Sequence, residues 1–138
     1  MADTREWLDR LLRATNDHDL DALVACFAED YVNTTPVHPS RGFVGRDQVR
    51  RNWEQIFGFV PDIRAEIVAA AFDGATVWSQ LDMRGTRPDG SSHHVAGVVV
   101  FTLDSENATT AKAATFFLEP VDDAGETVED VVRGQVMR

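Results

Sequence analysis

The hydrophobic periodicity of this chain changes once, at Pro61, and that switch limits what it can fold into. Before it, apolar side chains recur three and four residues apart, as on one helical face; after it they alternate, as on one face of a strand. Trp7, Leu8, Leu11 and Leu12 predict a first helix over residues 3–15, with Asp3 as its cap and Glu6 reaching back toward it. A polar break at residues 16–19 holds cap candidates for a second helix, carried by Leu20, Leu23, Val24 and Phe27. The run from Tyr31 to Thr35 favours an extended backbone and ends at Pro36 and Pro39. Val49, Trp53, Ile56 and Phe57 then mark the buried face of a third helix, which Pro61 stops.

Beyond Pro61 lie three long alternating segments, 62–72, 76–86 and 93–103. They are parted by Asp73-Gly74 and by Pro88-Asp89-Gly90, both turn formers. A fourth, 110–119, follows a polar turn at 104–107. Three helices followed by consecutive hairpins predict an α+β fold with a strongly curved antiparallel sheet. Residues 1–121 form that domain, and 122–138 form a polar tail with room for one short helix.

Composition narrows the function. With 138 residues, 43% of them apolar, the chain suits one domain with one sizeable core. Its 13 Lys+Arg against 23 Asp+Glu give a net charge of -10, which repels phosphate backbones and anionic headgroups. Nucleic acid and membranes are therefore not expected partners. The lone Cys26 excludes an intramolecular disulfide and a cysteine metal cage. The polar, charged start of the chain and the lack of any run of membrane-spanning length point to a cytoplasmic protein.

Particular runs then become familiar. Asn16-Asp17-His18-Asp19-Leu20-Asp21-Ala22-Leu23, Phe27-Ala28-Glu29-Asp30 and Gly42-Phe43-Val44-Gly45-Arg46-Asp47 resemble the helical half of the SnoaL-like branch of the nuclear-transport-factor-2-like superfamily. Pro61-Asp62-Ile63-Arg64, Asp73-Gly74 and Phe117-Leu118-Glu119-Pro120 resemble its sheet. The resemblance spans residues 5–121 and implies a cone, the curved sheet wrapped around three N-terminal helices. It also implies a pocket for a small organic molecule that needs neither cofactor nor metal, and pairing of two copies through the outer sheet face. Outward Val98 and Val100, with Leu81 and Met83, are expected to supply that contact. The superfamily includes polyketide cyclases, a ketosteroid isomerase, epoxide hydrolases, dehydratases and non-catalytic binding or accessory domains, so fold alone names no reaction.

Two of these mechanisms lack their residues. Aligned on the resemblance, the isomerase base falls on Thr35 and its two donors near Leu11 and Val99, none of which can serve. The limonene epoxide hydrolase roles fall on Gln80, Asp82 and Phe116, with Asn33 and Thr35 as helpers, and only Asp82 keeps its chemistry. A cyclase needs less, and Asp82 beside Arg84 is a candidate acid/base pair on the face that also carries Trp78 and Gln80. An ion pair on the outer sheet surface, or a polar plug, is the alternative. His38, on the loop between Pro36 and Pro39, is either a helper at the pocket entrance or an ordinary exposed histidine. His93 and His94 are adjacent and so face opposite ways, which argues against a shared metal. Tyr31, Asn33 and Thr35, polar at expected inward positions, are the best hint of a ligand cavity. Trp53, Phe57, Val99, Phe101 and Phe116 would supply its apolar wall.

Overall fold

The computed structural model describes residues 3–136; Met1, Ala2, Met137 and Arg138, part of the expected domain and tail, lie outside the described residues. Helix α1 (Thr4–Asn16) begins where the Asp3 carboxylate accepts a hydrogen bond from the Arg5 amide at 2.8 Å. It buries Trp7, Leu8 and Ala14 against the sheet, and the Trp7 indole donates to the Cys26 carbonyl at 3.0 Å. Helix α2 (Leu20–Val24) is capped by Asp19, which accepts from the Ala22 amide. It is shorter than its spacing predicts, because Phe27 belongs to strand β1 (Phe27–Thr34). A short 3-10 turn (Pro39–Arg41) and the two-residue strand β2 (Phe43–Val44) lead into helix α3 (Arg46–Phe59).

The long strands β3 (Arg64–Asp73), β4 (Thr76–Thr86), β5 (Ser92–Leu103) and β6 (Ala111–Pro120) follow the alternating segments to within about two residues. Helix α4 (Val128–Val136) occupies the tail. The six strands lie in the order β2-β1-β6-β5-β4-β3. One pairing departs from the antiparallel expectation: β1 runs parallel to β6. The two strands are far apart in the chain, and no hairpin joins them to force opposite directions.

Curvature has local causes. An extra residue at Val68 bulges β3 between Ile67 and Ala69. Gly97 of β5 adopts φ 147°, where a Cβ would stand 2.0 Å from the Phe117 carbonyl oxygen, so only glycine lets β6 approach this closely. At the start of β3, the Asn16 side chain accepts from the Ala65 amide at 2.7 Å and donates to its carbonyl at 3.0 Å. His18, in the left-handed region at φ 55°, reaches the Ile63 carbonyl and stacks on Phe57 at 4.9 Å. These contacts tie the helices to one edge of the sheet. The core centres on Trp7, Leu23, Tyr31, Val77, Val99, Phe101 and Leu103.

The register of β4 against β5 corrects one expectation. Val77 pairs with Phe101, Ser79 with Val99, Leu81 with Gly97 and Met83 with Val95. Directly paired residues share a face, so the inward Val99 and Phe101 carry Val77, Ser79, Leu81 and Met83 inward with them. Trp78, Gln80, Asp82 and Arg84 therefore face outward, and Leu81 and Met83 do not contribute to the outer surface. Burial makes the choice: Val77 and Ser79 are fully buried, whereas Trp78, whose ring is amphipathic, is 50% exposed.

Candidate functional site

Inside the sheet's concave side is a hollow of about 320 Å³. Strand β1 supplies Tyr31, Asn33 and, just past its end, Thr35; α3 supplies Val49, Asn52, Trp53 and Ile56. Met83, Val95, Phe116 and Leu118 close the sheet side, while Arg41 and His93 complete the polar part. Below it, a narrower apolar chamber of about 60 Å³ lies among Leu81, Phe101, Ile67 and Leu11, and shares Trp53, Met83, Phe116 and Leu118 with the hollow. The site carries polar side chains at one end and mostly apolar walls at the other, the usual composition of a small-molecule pocket.

The polar groups are held in defined orientations. The Tyr31 hydroxyl donates to Asn33 Oδ1 at 2.7 Å, and burial pushes the Tyr31 phenol well above its ordinary range, so it stays protonated. On α3, Arg51 donates twice to Gln48 Oε1, at 3.2 and 2.7 Å, and Gln48 Nε2 donates to Asn52 Oδ1 at 2.7 Å. His93 is half-buried, and burial lowers its pKa, assisted by the charge of Arg87 and by neighbouring His94. Its imidazole is accordingly neutral at pH 7, with a lone pair available.

Of the residues expected from sequence, Tyr31, Asn33, Thr35, Trp53 and Phe116 line the hollow, and Phe101 lines the inner chamber. Val99 is fully buried behind them, its carbonyl accepting from Ser79 Oγ at 2.8 Å. Phe57 packs on His18 and Trp53 and borders neither space. Trp78 and Gln80 stand on the outer face, for the reason of register given above. So do Asp82 and Arg84: Asp82 accepts from Arg84 Nε at 3.0 Å and pairs with His94 Nε2 at 2.9 Å. The His94 hydrogen bond first, then that from Arg84, holds the Asp82 carboxyl below its usual range. The pair borders a wide groove of about 660 Å³ along the β3 edge, where Arg5, Arg64 and Arg84 are balanced by Asp9, Glu66 and Asp82. Open to solvent and neutral in sum, that groove has the character of a hydrated surface. His38 pairs at 2.7 Å with Glu119, on the side of β6 opposite Phe116 and Leu118, and so stands outside the hollow.

Three polar lining residues escaped the sequence reading. His93 is in phase with Val95, Val99 and Phe101, so alternation alone pointed it inward. Asn52 lies three residues after Val49 and four before Ile56, a polar side chain on the apolar face of α3. Arg41 sits in an irregular segment with no periodicity to place it.

The SnoaL-like domain family matches residues 8–110, three quarters of the chain and most of the elements that enclose the hollow. The chain belongs to the SnoaL-like family. No curated protein matches its sequence. Solved structures share the fold. The epoxide hydrolase/cyclase-like enzyme SalBIII, with a role in pyran ring formation in the polyether salinomycin, superposes with a TM-score of 0.72 at 23% identity, over 84% of this chain and 90% of that one. A protein of ketosteroid isomerase-like fold from Catenulispora acidiphila, in complex with trimethylamine, gives 0.68 at 15% identity, over 82% and 85%. A conserved protein from Planctomyces limnophilus gives 0.66 at 20%, over 85% and 94%. At these identities the likeness is one of fold. Among the described residues, no helix is long and apolar enough to cross a membrane, and no group of three His, Cys, Asp or Glu side chains could hold a metal ion.

Proposed function

We propose that this SnoaL-like chain performs acid/base chemistry, without a cofactor, on a medium-sized polyketide-, terpene- or steroid-like compound held in the hollow. The reaction class is cyclisation, isomerisation, dehydration or hydrolysis, with His93 as the group that takes and returns the proton. The supporting observation is a neutral imidazole, with no hydrogen-bond partner among the described residues, in the wall of a cavity that is otherwise apolar or donor-rich. Asp82, Arg84 and His38 take no part in this reading, since none of them borders that cavity.

A second reading, a non-catalytic binding or accessory domain, is favoured by one feature: no carboxylate lines the hollow among the described residues to orient or assist His93. His93→Gln separates the two, because glutamine keeps polarity but cannot transfer a proton at neutral pH. On a panel of polyketide, terpene and steroid-like compounds, an enzyme keeps its ligand affinity and loses turnover by 10²-fold or more, on the order expected for an acid/base group. Turnover unchanged in His93→Gln would remove the role assigned to His93, and ligand binding without turnover in the wild type would establish the second reading.

The same proposal has two copies pair in the cytoplasm through the outer sheet face. Trp78 and Phe117, 50% and 42% exposed, adjoin Val98 and Val100 there and form an apolar patch. Light scattering at micromolar concentration should return twice the chain mass; a monomer would contradict the pairing.

A further inference from the structure

The hydrogen-bonding polarity of the hollow follows from the partners that its amide side chains already hold. An arginine side chain can only donate, so Gln48, bound twice by Arg51, must present its oxygen to Arg51 and its NH₂ to Asn52. Asn52 must therefore receive that NH₂ with Oδ1, which leaves its own NH₂ for the hollow. The buried phenol of Tyr31 donates to Asn33 Oδ1 at 2.7 Å, and in that arrangement Asn33 Nδ2 is the part of the amide left to face a ligand. Arg41, which forms no ion pair among the described residues, adds a guanidinium at the rim. Both amide oxygens are thus engaged, and the hollow keeps two NH₂ groups and a guanidinium beside the Thr35 hydroxyl, which can donate or accept, and the neutral His93 imidazole. In a chain with 23 acidic residues, Arg41 is the one ionised side chain bordering the hollow among the described residues, His93 being neutral.

Beside two NH₂ groups and a guanidinium with no ion-pair partner among the described residues, the fitting ligand group is an anionic acceptor. The inner chamber offers no polar partner beyond Thr15, whose hydroxyl already donates to the Leu11 carbonyl. We infer that the hollow selects amphipathic carboxylic acids, the carboxylate held by Arg41, Asn33 and Asn52 and the hydrocarbon end seated among Leu81, Phe101 and Phe116. The surface charge of -10 opposes this only weakly, because charges farther than about 8 Å are largely screened at physiological salt. The inference rests on the hollow being the ligand site, and deepens the proposed function by naming the polar end of its substrate.

The test uses calorimetry on the full chain with naphthalene-2-carboxylic acid, anthracene-2-carboxylic acid and abietic acid, each against its methyl ester. The acids should bind at least tenfold tighter than their esters. Arg41→Gln, at an exposed position, should remove most of that preference by weakening the acids far more than the esters. Asn52→Asp, which still accepts from Gln48 but replaces the NH₂ with an anionic oxygen, should reverse it. Leu118→Trp, which fills the hollow, should abolish binding of both forms. Esters binding as tightly as acids, or an acid preference untouched by Arg41→Gln and Asn52→Asp, would overturn the inference while leaving the hollow as the site. Binding that survives Leu118→Trp, or no binding by any of the six compounds, would overturn the hollow as the site and the inference with it.

Discussion

Tyr31→Phe deletes one oxygen from the wall of the hollow and leaves everything else in place. The ring stays packed edge-on against Phe27 at 4.9 Å and near Phe43 at 6.0 Å, so no cavity opens in the apolar core. What is lost is the 2.7 Å bond to Asn33 Oδ1. Tyr31 is 1% exposed and Asn33 8%, so water reaches the orphaned carbonyl poorly and the cost should be that of an unsatisfied buried acceptor, about 1–3 kcal/mol. With an unfolding entropy of roughly 2.1 cal/mol/K per residue, a chain of this length loses about 3–10 °C in Tm for that change. Urea denaturation should show a lower midpoint with an unchanged slope. Tyr31→Phe combined with Asn33→Leu removes both partners and should recover most of the loss, since a pair deleted together leaves nothing unsatisfied. A Tyr31→Phe protein within about 0.3 kcal/mol of wild type, or a double variant as unstable as the summed singles, would refute the reasoning.

Other outcomes follow from the same contacts. Gly97→Ala forces a Cβ to 2.0 Å from the Phe117 carbonyl oxygen at a φ of 147°, and should cost about 3 kcal/mol or more; a Tm within 3 °C of wild type would mean that β5 and β6 can separate there without loss. Asp82 has its pKa lowered by His94 and Arg84, so it contributes stability that is fully present above the ordinary value of 3.8 and is lost as pH falls through the folded value. Asp82→Asn should flatten that part of the stability profile measured by urea titration between pH 5 and pH 2; an unchanged profile would mean the pair is as strong in the unfolded chain. His93 has the opposite linkage for a base: neutral in both states above its ordinary 6.5, it costs the folded chain stability below that pH, where the unfolded chain takes the proton first. Its NMR titration midpoint should fall below 6.5, and a midpoint above that would undo its assignment as a neutral base.

Much of this protein was legible in the order of its residues. Helix and strand periods are properties of neighbouring side chains, so Trp7 and Leu8, the switch at Pro61 and the turns at Asp73-Gly74 and Pro88-Asp89-Gly90 announced the elements without any knowledge of their partners. The polar trio Tyr31, Asn33 and Thr35 announced a hollow in the same way, because a solid core has no use for three such groups in alternation. What alternation cannot say is which of two faces turns inward. Along β4, Trp78, Gln80, Asp82 and Arg84 share a side, and the bulk of Trp78 and the chemistry of Asp82 argued for the inside. Pairing of their neighbours Val77 and Ser79 with Phe101 and Val99 put them outside, a decision made by another strand about twenty residues away. Arg41, Asn52 and His93 come from a turn, a helix and a strand far apart in the chain, and their convergence on one space, like the direction in which each amide points, exists only once the sheet has curled around α3. Local pattern determined the parts; long-range packing decided which of their polar atoms a ligand meets.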